Sequence, residues 1–239
     1  MDRDLQLLLD EARVLWGTDS RGRYAEPPLC AVAVCAAGHR VIIWPGLARD
    51  LSSPLRRLLG TAAQAHPAPG LRRALAPAAE LLQAAGIPAA VRGGPSFLAE
   101  PPLAVPAGMS IMHSGRPDDA GRAAACKRPP GWDAQEWPAL LGGQLGPWTM
   151  LALPGGQIVS ICHTPRDSPA GAEAGTWTSP AFRGNGYAAA TTAAWANLMR
   201  RRDDRPLFYS TADANSSSQR VAARLGLAAI GWIWALQAG

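Results

Sequence analysis

The sequence lacks the features that mark membrane, secreted and nucleic-acid-binding proteins. No apolar run reaches 18 residues, and the first ten residues do not form a secretory signal. The net charge is +5, yet no basic block exceeds the three arginines at 200–202. Nucleic-acid and membrane partners are therefore not expected, because binders of that kind concentrate their charge on one face or arm. A cytoplasmic protein is the default prediction.

Cysteine is scarce, and its spacing argues against a metal site. The four cysteines form no C-x-x-C pair and no cluster with histidine at zinc spacing; they are Cys30, Cys35, Cys126 and Cys162. We expect no metal cofactor. Charged residues are also few, at 17% against 48% hydrophobic residues, and this balance is typical of a folded chain rather than a disordered one.

The chain has 239 residues, which is enough for one large domain or two small ones. A Gly- and Pro-rich stretch over 93–106 predicts a linker, so we divide the chain into residues 1–106 and 107–239. Residues 1–106 predict an α/β region without a chemical motif. The predicted elements are helices over 5–16, 51–60 and 74–85, the last broken or begun by Pro77, and strands over 29–36 and 40–44 joined by a turn at Gly38 and His39.

Residues 107–239 are more regular. After a weak helix over 132–145, they predict the order β-β-β-α-β-α-β, with a Gly-Gly turn between the first two strands and a polar loop over 166–171 before the third. The first helix of this series is rich in alanine and carries basic residues in its last turn. The predicted strands are 148–153, 157–163, 172–178, 206–211 and 228–236, and the helices are 186–202 and 216–225.

The segment that carries chemistry is the loop between the third of these strands and the alanine-rich helix. Its residues Arg183-Gly184-Asn185-Gly186 run straight into the helix. Glycines let the backbone come close to a ligand, and the free N–H groups of a helix N-terminus attract anions. Arg183 adds a charge-assisted contact to phosphate. The loop therefore predicts a pyrophosphate site.

Three known phosphate loops compete for this segment. A Walker A loop needs a lysine that the segment lacks. A dinucleotide-binding G-x-G-x-x-A pattern fits Gly184, Gly186 and Ala189, but the preceding strand is polar and ends at Pro180, and the required strand-end acid is missing. The third pattern, R-x-x-G-x-G/A, is met by Arg183, Gly186 and Ala188.

That third pattern resembles the pyrophosphate motif of the GNAT superfamily of N-acetyltransferases. The segment from Asn215 to Leu227 resembles the family's N-x-x-S/A…L-G-F/L ending, so the resemblance covers about residues 148–236. It implies an α/β fold whose mixed, mostly antiparallel sheet has a V-shaped split at the coenzyme site. A narrower resemblance, to longer bacterial chains that include zwittermicin-type resistance acetyltransferases, rests on residues 146–148, 160–163 and 173–175. The N-terminal region is compatible with a degenerate second GNAT-like half.

The resemblance also implies acetyl-CoA as co-substrate and direct acetyl transfer to a primary amine. The acceptor is expected to be a small molecule; protein acetylation, a homodimer and a non-catalytic module that senses acetyl-CoA are left open. Trp177 and Thr178 would pair with pantetheine, which Asn215 and Ser218 would also contact. The pyrophosphate would be held by Arg183, Gly184, Asn185, Gly186, Tyr187 and Ala188. For Tyr187, packing of its helix on the sheet is an equal alternative.

Three residues, Glu173, His163 and Tyr209, are the main candidates for proton transfer, with Ser218 as a fourth. Family members often place a catalytic glutamate on the central strand, and Glu173 occupies that strand here as candidate base. His163, on the neighbouring strand, is a second candidate. The usual tyrosine acid is replaced by Ala222, which leaves Tyr209 or Ser218 as substitutes, or a reaction without a dedicated acid because a thiolate leaves readily. Each has a structural alternative: an ion pair for Glu173, a hydrogen bond for His163 and packing for Tyr209.

Overall fold

The computed structural model describes residues 2–238. Its helices are α1 (Arg3–Trp16), α2 (Arg49–Ala65), α3 (Leu71–Ala74), α4 (Ala76–Ala84), α5 (Pro117–Ala125), α6 (Glu136–Leu141), α7 (Tyr187–Arg200) and α8 (Ser216–Leu225). Its strands are β1 (Cys30–Cys35), β2 (Gly38–Ile43), β3 (Ala89–Leu98), β4 (Ile111–His113), β5 (Trp148–Leu153), β6 (Gln157–Ser168), β7 (Gly171–Thr178), β8 (Leu207–Ser210) and β9 (Ala228–Ala238). The mixed α/β class and the order predicted from residue 148 onward are confirmed.

The chain folds into two compact units that are not continuous in sequence. Unit 1 comprises Met1–Phe97, Ser210–Gln219 and Ala229–Gly239, and unit 2 comprises Leu98–Tyr209 and Arg220–Ala228. The first boundary falls at residue 97 rather than 106, and the chain returns to unit 1 twice. The second return follows from the pairing of β9 with β1, by which the C-terminal strand completes the sheet of unit 1.

Unit 1 is built on antiparallel pairing around β1. Cys30 pairs with Ile43 of β2 on one side and with Leu236 of β9 on the other. Helix α2 covers this sheet with Leu55 and Leu59, both fully buried. The predicted turn at Gly38 and His39 is wrong, because Cys35 pairs with Gly38 and the turn residues are at 36–37. The predicted helices and strands of this region otherwise form, with Pro77 in the first turn of α4.

The predicted linker over residues 93–106 is wrong in its first part, where β3 continues through Gly93 and Gly94 to Leu98. Its glycines are needed because backbone lies unusually close. A β-carbon on Gly94 would lie 2.0 Å from the Thr211 carbonyl oxygen, and one on Gly93 would lie 2.2 Å from the Ile233 carbonyl oxygen. In this strand, glycine marks a close approach of chains rather than flexibility.

Unit 2 is an antiparallel sheet in the order β4-β5-β6-β7, with β8 parallel to β7. Helix α7 packs on one face of this sheet through hydroxyl groups. The Ser160 and Thr191 hydroxyls lie 3.0 Å apart, and the Trp195 indole donates to the Thr164 hydroxyl over 2.9 Å. Because buried polar groups need partners, this bonding lets a polar strand face lie against an alanine-rich helix.

The opposite face of this sheet carries a tryptophan-rich core. Its buried members are Met112, Ala123, Trp132, Trp137, Leu140, Trp148, Met150, Ile158 and Ile161. The predicted helix over 132–145 shortens to α6, and Asp133 accepts the N–H groups of Gln135 and Glu136 in the turn just before it. Trp132 consequently lies in the preceding loop. Two elements of this region, β4 and α5, were not predicted.

The polar loop predicted over 166–171 is also wrong, since β6 runs on to Ser168 and leaves only residues 169–170 in the turn. The register with β7 pairs His163 with Gly175 and Arg166 with Glu173, with a bulge between them. Two residues of β6, Thr164 and Pro165, therefore oppose one of β7. Because a bulge shifts the alternation of side chains, His163 and Arg166 both lie beside β7 residues of one face.

Candidate functional site

Two parallel strands separate at the centre of unit 2. The register of β7 with β8 contains Ala172 with Leu207 and Glu173 with Phe208. Strand β7 then continues to Thr178 while β8 continues to Ser210, and neither stretch takes part in that register. The strands therefore part after Glu173, which confirms the predicted V-shaped split.

The predicted phosphate loop lies at the end of β7 and leads into α7. Gly184 and Gly186 have φ values of 86° and 80°, a left-handed conformation that glycine adopts without strain. A β-carbon on Gly184 would meet no atom within 4 Å. Gly186 is the N-cap of α7, and no side chain caps that helix. Because the first N–H groups of a helix lack partners within it, this turn can donate to an anion.

A second arginine, not predicted as a site residue, joins Arg183 at this loop. A β-carbon on Gly186 would lie 2.8 Å from Cζ of Arg224, so the guanidinium of Arg224 rests against Gly186. Within residues 2–238, neither arginine has an ion-pair partner. The Arg224 guanidinium thus lies at the positive end of the α7 dipole, where a bound anion would be favoured. No sequence pattern indicates Arg224, because it reaches the loop only through tertiary packing.

The remaining loop and strand residues predicted to contact the coenzyme have local partners. Asn185 donates to the Phe182 carbonyl oxygen over 3.1 Å and so holds the loop closed. Tyr187 is half-buried in the first turn of α7, and Ala188 follows it. The Trp177 carbonyl oxygen accepts from Ser160 over 3.1 Å, and the Thr178 hydroxyl lies 3.1 Å from the same Ser160 oxygen.

Asn215 and Ser218 belong to unit 1, where they form the start of α8. The Asn215 side-chain oxygen accepts the Ser218 N–H over 3.1 Å. This is an N-cap bond, and it gives Asn215 a structural duty of its own. The predicted contacts of Asn215 and Ser218 with pantetheine stay predictions.

Glu173 is buried and ion-paired. Its Oε2 accepts from Arg166 over 2.8 Å, and the two residues lie directly opposite each other across β6 and β7. Only 7% of Glu173 is exposed. The sequence analysis missed Arg166 because it placed that residue in a loop. The pair corresponds to the structural alternative considered for Glu173.

His163 lies level with Gly175, beyond the residues at which β7 pairs with β8. Its Nδ1 is 3.0 Å from the Gly175 carbonyl oxygen. The imidazole and the Trp132 indole meet edge to face with centroids 5.5 Å apart, and Trp177 meets Trp132 in the same way at 6.0 Å. Burial lowers the pKa of His163 below its usual value, and the hydrogen bond with Gly175 opposes that shift only in part.

The candidate Tyr209 and the cysteine Cys162 are both closed off from solvent. Tyr209 is 2% exposed in β8, and its predicted role as acid stays a prediction. Burial raises the pKa of Cys162 to about 12, so its thiol is protonated and unreactive at neutral pH. Ala222 is fully buried in α8. Among residues 2–238, no group of three histidine, cysteine or acidic side chains could hold a metal ion, and no helix is long and apolar enough to cross a membrane.

Comparison with known families agrees with this geometry. Residues 114–228 match the model of the acetyltransferase (GNAT) domain. Over these residues, slightly less than half of the chain, the sequence is similar to the GNAT superfamily, whose members are acetyltransferases that typically use acetyl-CoA. No curated protein matches the chain.

Several solved structures are similar to the chain. A GNAT-family protein from Novosphingobium aromaticivorans is 21% identical, with 62% of this chain and 66% of that one covered at a TM-score of 0.42. A GCN5-related N-acetyltransferase from Sphaerobacter thermophilus is 17% identical, with 69% and 56% covered at a TM-score of 0.45. A GNAT-family acetyltransferase from Colwellia psychrerythraea is 13% identical, with 99% and 96% covered at a TM-score of 0.47. The chain thus spans less than two thirds of the length of the first two.

Proposed function

We propose that this protein is an acetyl-CoA-dependent N-acetyltransferase that moves an acetyl group directly to a primary amine of a small molecule. The observation that carries the proposal is the uncapped, left-handed Gly184–Gly186 turn at the start of α7, beside two arginines without ion-pair partners in the described chain. Such a turn suits a pyrophosphate. It follows directly on the strand that parts from β8, where the family resemblance expects the pantetheine arm.

In this proposal, the parts of the coenzyme bind successive segments of unit 2. Trp177 and Thr178, at the open end of β7, would contact pantetheine, and Arg183 to Ala188 would hold the pyrophosphate with Arg224 beside them. Acetyl-CoA would supply a thioester, whose carbonyl carbon is open to attack by an amine. The protein must then supply a proton acceptor for the ammonium form of the acceptor, since only the free amine is a nucleophile.

The cytoplasm is the proposed compartment. All four cysteines are free thiols, which suits a reducing environment. A basic protein also favours an anionic coenzyme through its overall field. We propose a small molecule as the acceptor. A lysine-rich peptide among the test amines would detect acetylation of protein side chains.

Two measurements test the proposal. Addition of CoA at 100 times its dissociation constant should raise the stability of the fold by about 2.7 kcal/mol, which a thermal melt detects. No shift with millimolar CoA, together with a shift with NAD, would support the dinucleotide-binding pattern instead. Release of free thiol from acetyl-CoA, followed across a panel of primary amines and one lysine-rich peptide, then tests transfer.

A second candidate function is a non-catalytic module that binds or senses acetyl-CoA. It is favoured by one observation, the buried Ala222 at the position of the family's usual tyrosine acid. This module would show the thermal shift with CoA but no thiol release with any amine above the rate without protein.

A further inference from the structure

The β6 bulge places two candidate groups at different depths of the split between β7 and β8. Arg166 lies opposite Glu173, at the last position where β7 pairs with β8. His163 lies opposite Gly175, in the stretch of β7 that has already parted from β8. A group that serves an acyl donor lying in the split must reach its open part. His163 is level with that part, and Glu173 is not.

The hydrogen bond with Gly175 fixes the state of the His163 ring. A carbonyl oxygen can only accept, so the Nδ1 atom 3.0 Å away must carry the proton. The neutral ring then presents its lone pair at Nε2, which is the form that a general base requires. Gly175 itself must lack a side chain, because a β-carbon there would lie 2.7 Å from Cε1 of His163. The ring is therefore held close to β7 in one tautomer.

The groups that face His163 do not titrate near neutral pH. They are Trp148 from β5, Gly175 from β7 and Trp132 from the loop before α6. The charge of Glu173 is meanwhile matched by Arg166 at 2.8 Å. Its Oε2 is therefore already engaged by a cation, at the position where β7 still pairs with β8.

We infer that His163, not Glu173, takes the proton from the acceptor amine, and that the Gly175 carbonyl holds it in the competent tautomer. The inference rests on the proposed function. The ammonium group of the acceptor gives one proton to Nε2, directly or through one water. The free amine attacks the thioester carbonyl carbon, a C–N bond forms, and the C–S bond breaks. The departing thiolate takes up a second proton from the nitrogen, and His163 returns its proton to solvent, so one proton is released for each amide and thiol formed.

The experiment compares His163→Gln with His66→Gln, which changes an exposed histidine at the end of α2. Turnover of an amine accepted by the wild type should fall by about 10²–10⁴-fold in His163→Gln at neutral pH, the usual contribution of a general base. The loss should shrink at high pH, where more amine is already free. CoA affinity measured by calorimetry should stay at the wild-type value, and His66→Gln should match the wild type throughout.

A second variant separates chemistry from structure. His163→Ala should regain turnover with added imidazoles, at a rate that rises with the pKa of the imidazole. If the ring only supports the fold, His163→Ala should instead lose stability, CoA affinity and turnover together. Its rate should then not depend on the pKa of the added imidazole. Glu173→Gln should keep the acid limb of the pH–rate profile, and His163→Gln should lose it. The reverse result would overturn the inference in favour of Glu173.

Nitrogen NMR of the intact protein gives a readout without turnover. It should show Nδ1 protonated and Nε2 bare at neutral pH, and the opposite tautomer would overturn the inference. If the wild type binds CoA but acetylates no amine, both the transferase function and the role of His163 as base are overturned. If it does not bind CoA at all, the coenzyme site itself is overturned, so the two failures can be told apart.

Discussion

Glycine pairs in the two units show how the same residue type serves two purposes. Gly93 and Gly94 of unit 1 lie where a side chain would strike backbone atoms about 2 Å away. Gly184 and Gly186 of unit 2 face open space and the end of a flexible arginine, and both have a left-handed backbone. The first pair is thus a condition of folding, and the second leaves backbone N–H groups accessible. We therefore expect substitutions in the first pair to lower stability and substitutions in the second pair to weaken CoA binding.

The largest expected effect is that of Gly94→Val on folding. Its β-carbon would lie 2.0 Å from the Thr211 carbonyl oxygen and 2.6 Å from the Asp213 nitrogen, and backbone cannot move aside as a side chain can. The cost should exceed the roughly 1–3 kcal/mol of ordinary overpacking. We expect little folded protein by circular dichroism and thermal melting.

Gly22→Val is the matched control in unit 1. Gly22 has a left-handed backbone, which Gly94 does not, and a β-carbon there meets nothing within 4 Å. It should cost only the backbone strain of about 1–2 kcal/mol. Equal melting temperatures for the two variants would show that close approach is not what Gly94 provides.

The next effect is that of Gly186→Val on CoA binding. The side chain would press on the Arg224 guanidinium and cover the first N–H groups of α7, so affinity should fall by more than about 100-fold. The fold should survive, because the atom in the way is the end of a flexible side chain. Calorimetry with CoA measures the loss.

Gly155→Val controls for backbone strain in the same unit. Gly155 has a φ of 88° in the hairpin turn between β5 and β6, with open space around it. This variant should lose similar stability but bind CoA normally. Normal CoA binding by folded Gly186→Val would remove the loop from the coenzyme site.

How much of this could be predicted from the sequence depended on how local each feature is. The loop and α7 were predictable, because the glycines, the arginine and the helical pattern are adjacent in the chain. Strand β3 was taken for a linker, because Gly93 and Gly94 resemble a flexible stretch until the chains beside them are known. The Arg166–Glu173 pair was missed because a bulge at Pro165 carries β6 through an apparent loop. Arg224 meets Gly186 only in three dimensions.

Arg224→Gln tests that contact and should have a moderate effect. A hydrogen bond to a charged group contributes about 1.5–3 kcal/mol, and Arg224 is exposed, so we expect the lower end, about tenfold weaker CoA binding. The difference should narrow as salt is raised, because screening weakens contacts between exposed charges. Arg57→Gln, on the exposed side of α2, should bind CoA as the wild type does. If Arg224→Gln left the affinity for CoA unchanged at low salt, Arg183 would be the only one of the two arginines that contributes to CoA binding.

The smallest expected effect is the contribution of His163 to the pH dependence of the free energy of unfolding. Burial lowers the pKa of the folded-state imidazole, while the unfolded chain keeps a value near 6.5. The unfolded state therefore binds more protons as the pH falls below about 6.5, so this contribution to stability is present above that pH and is lost as the pH falls through the folded-state value. His113, whose pKa is also lowered by burial, contributes in the same direction.

Urea unfolding of the wild type and His163→Gln between about pH 7.5 and 5 isolates this contribution. The free energy of unfolding of the wild type should fall more steeply than that of the variant, because only the wild type carries a histidine that must stay neutral beside Trp132 and Gly175. Parallel curves would mean that the folded ring accepts a proton as readily as the unfolded one. Burial would then not disfavour the charged ring, and the assignment of chemistry to unit 2 would rest on the loop alone.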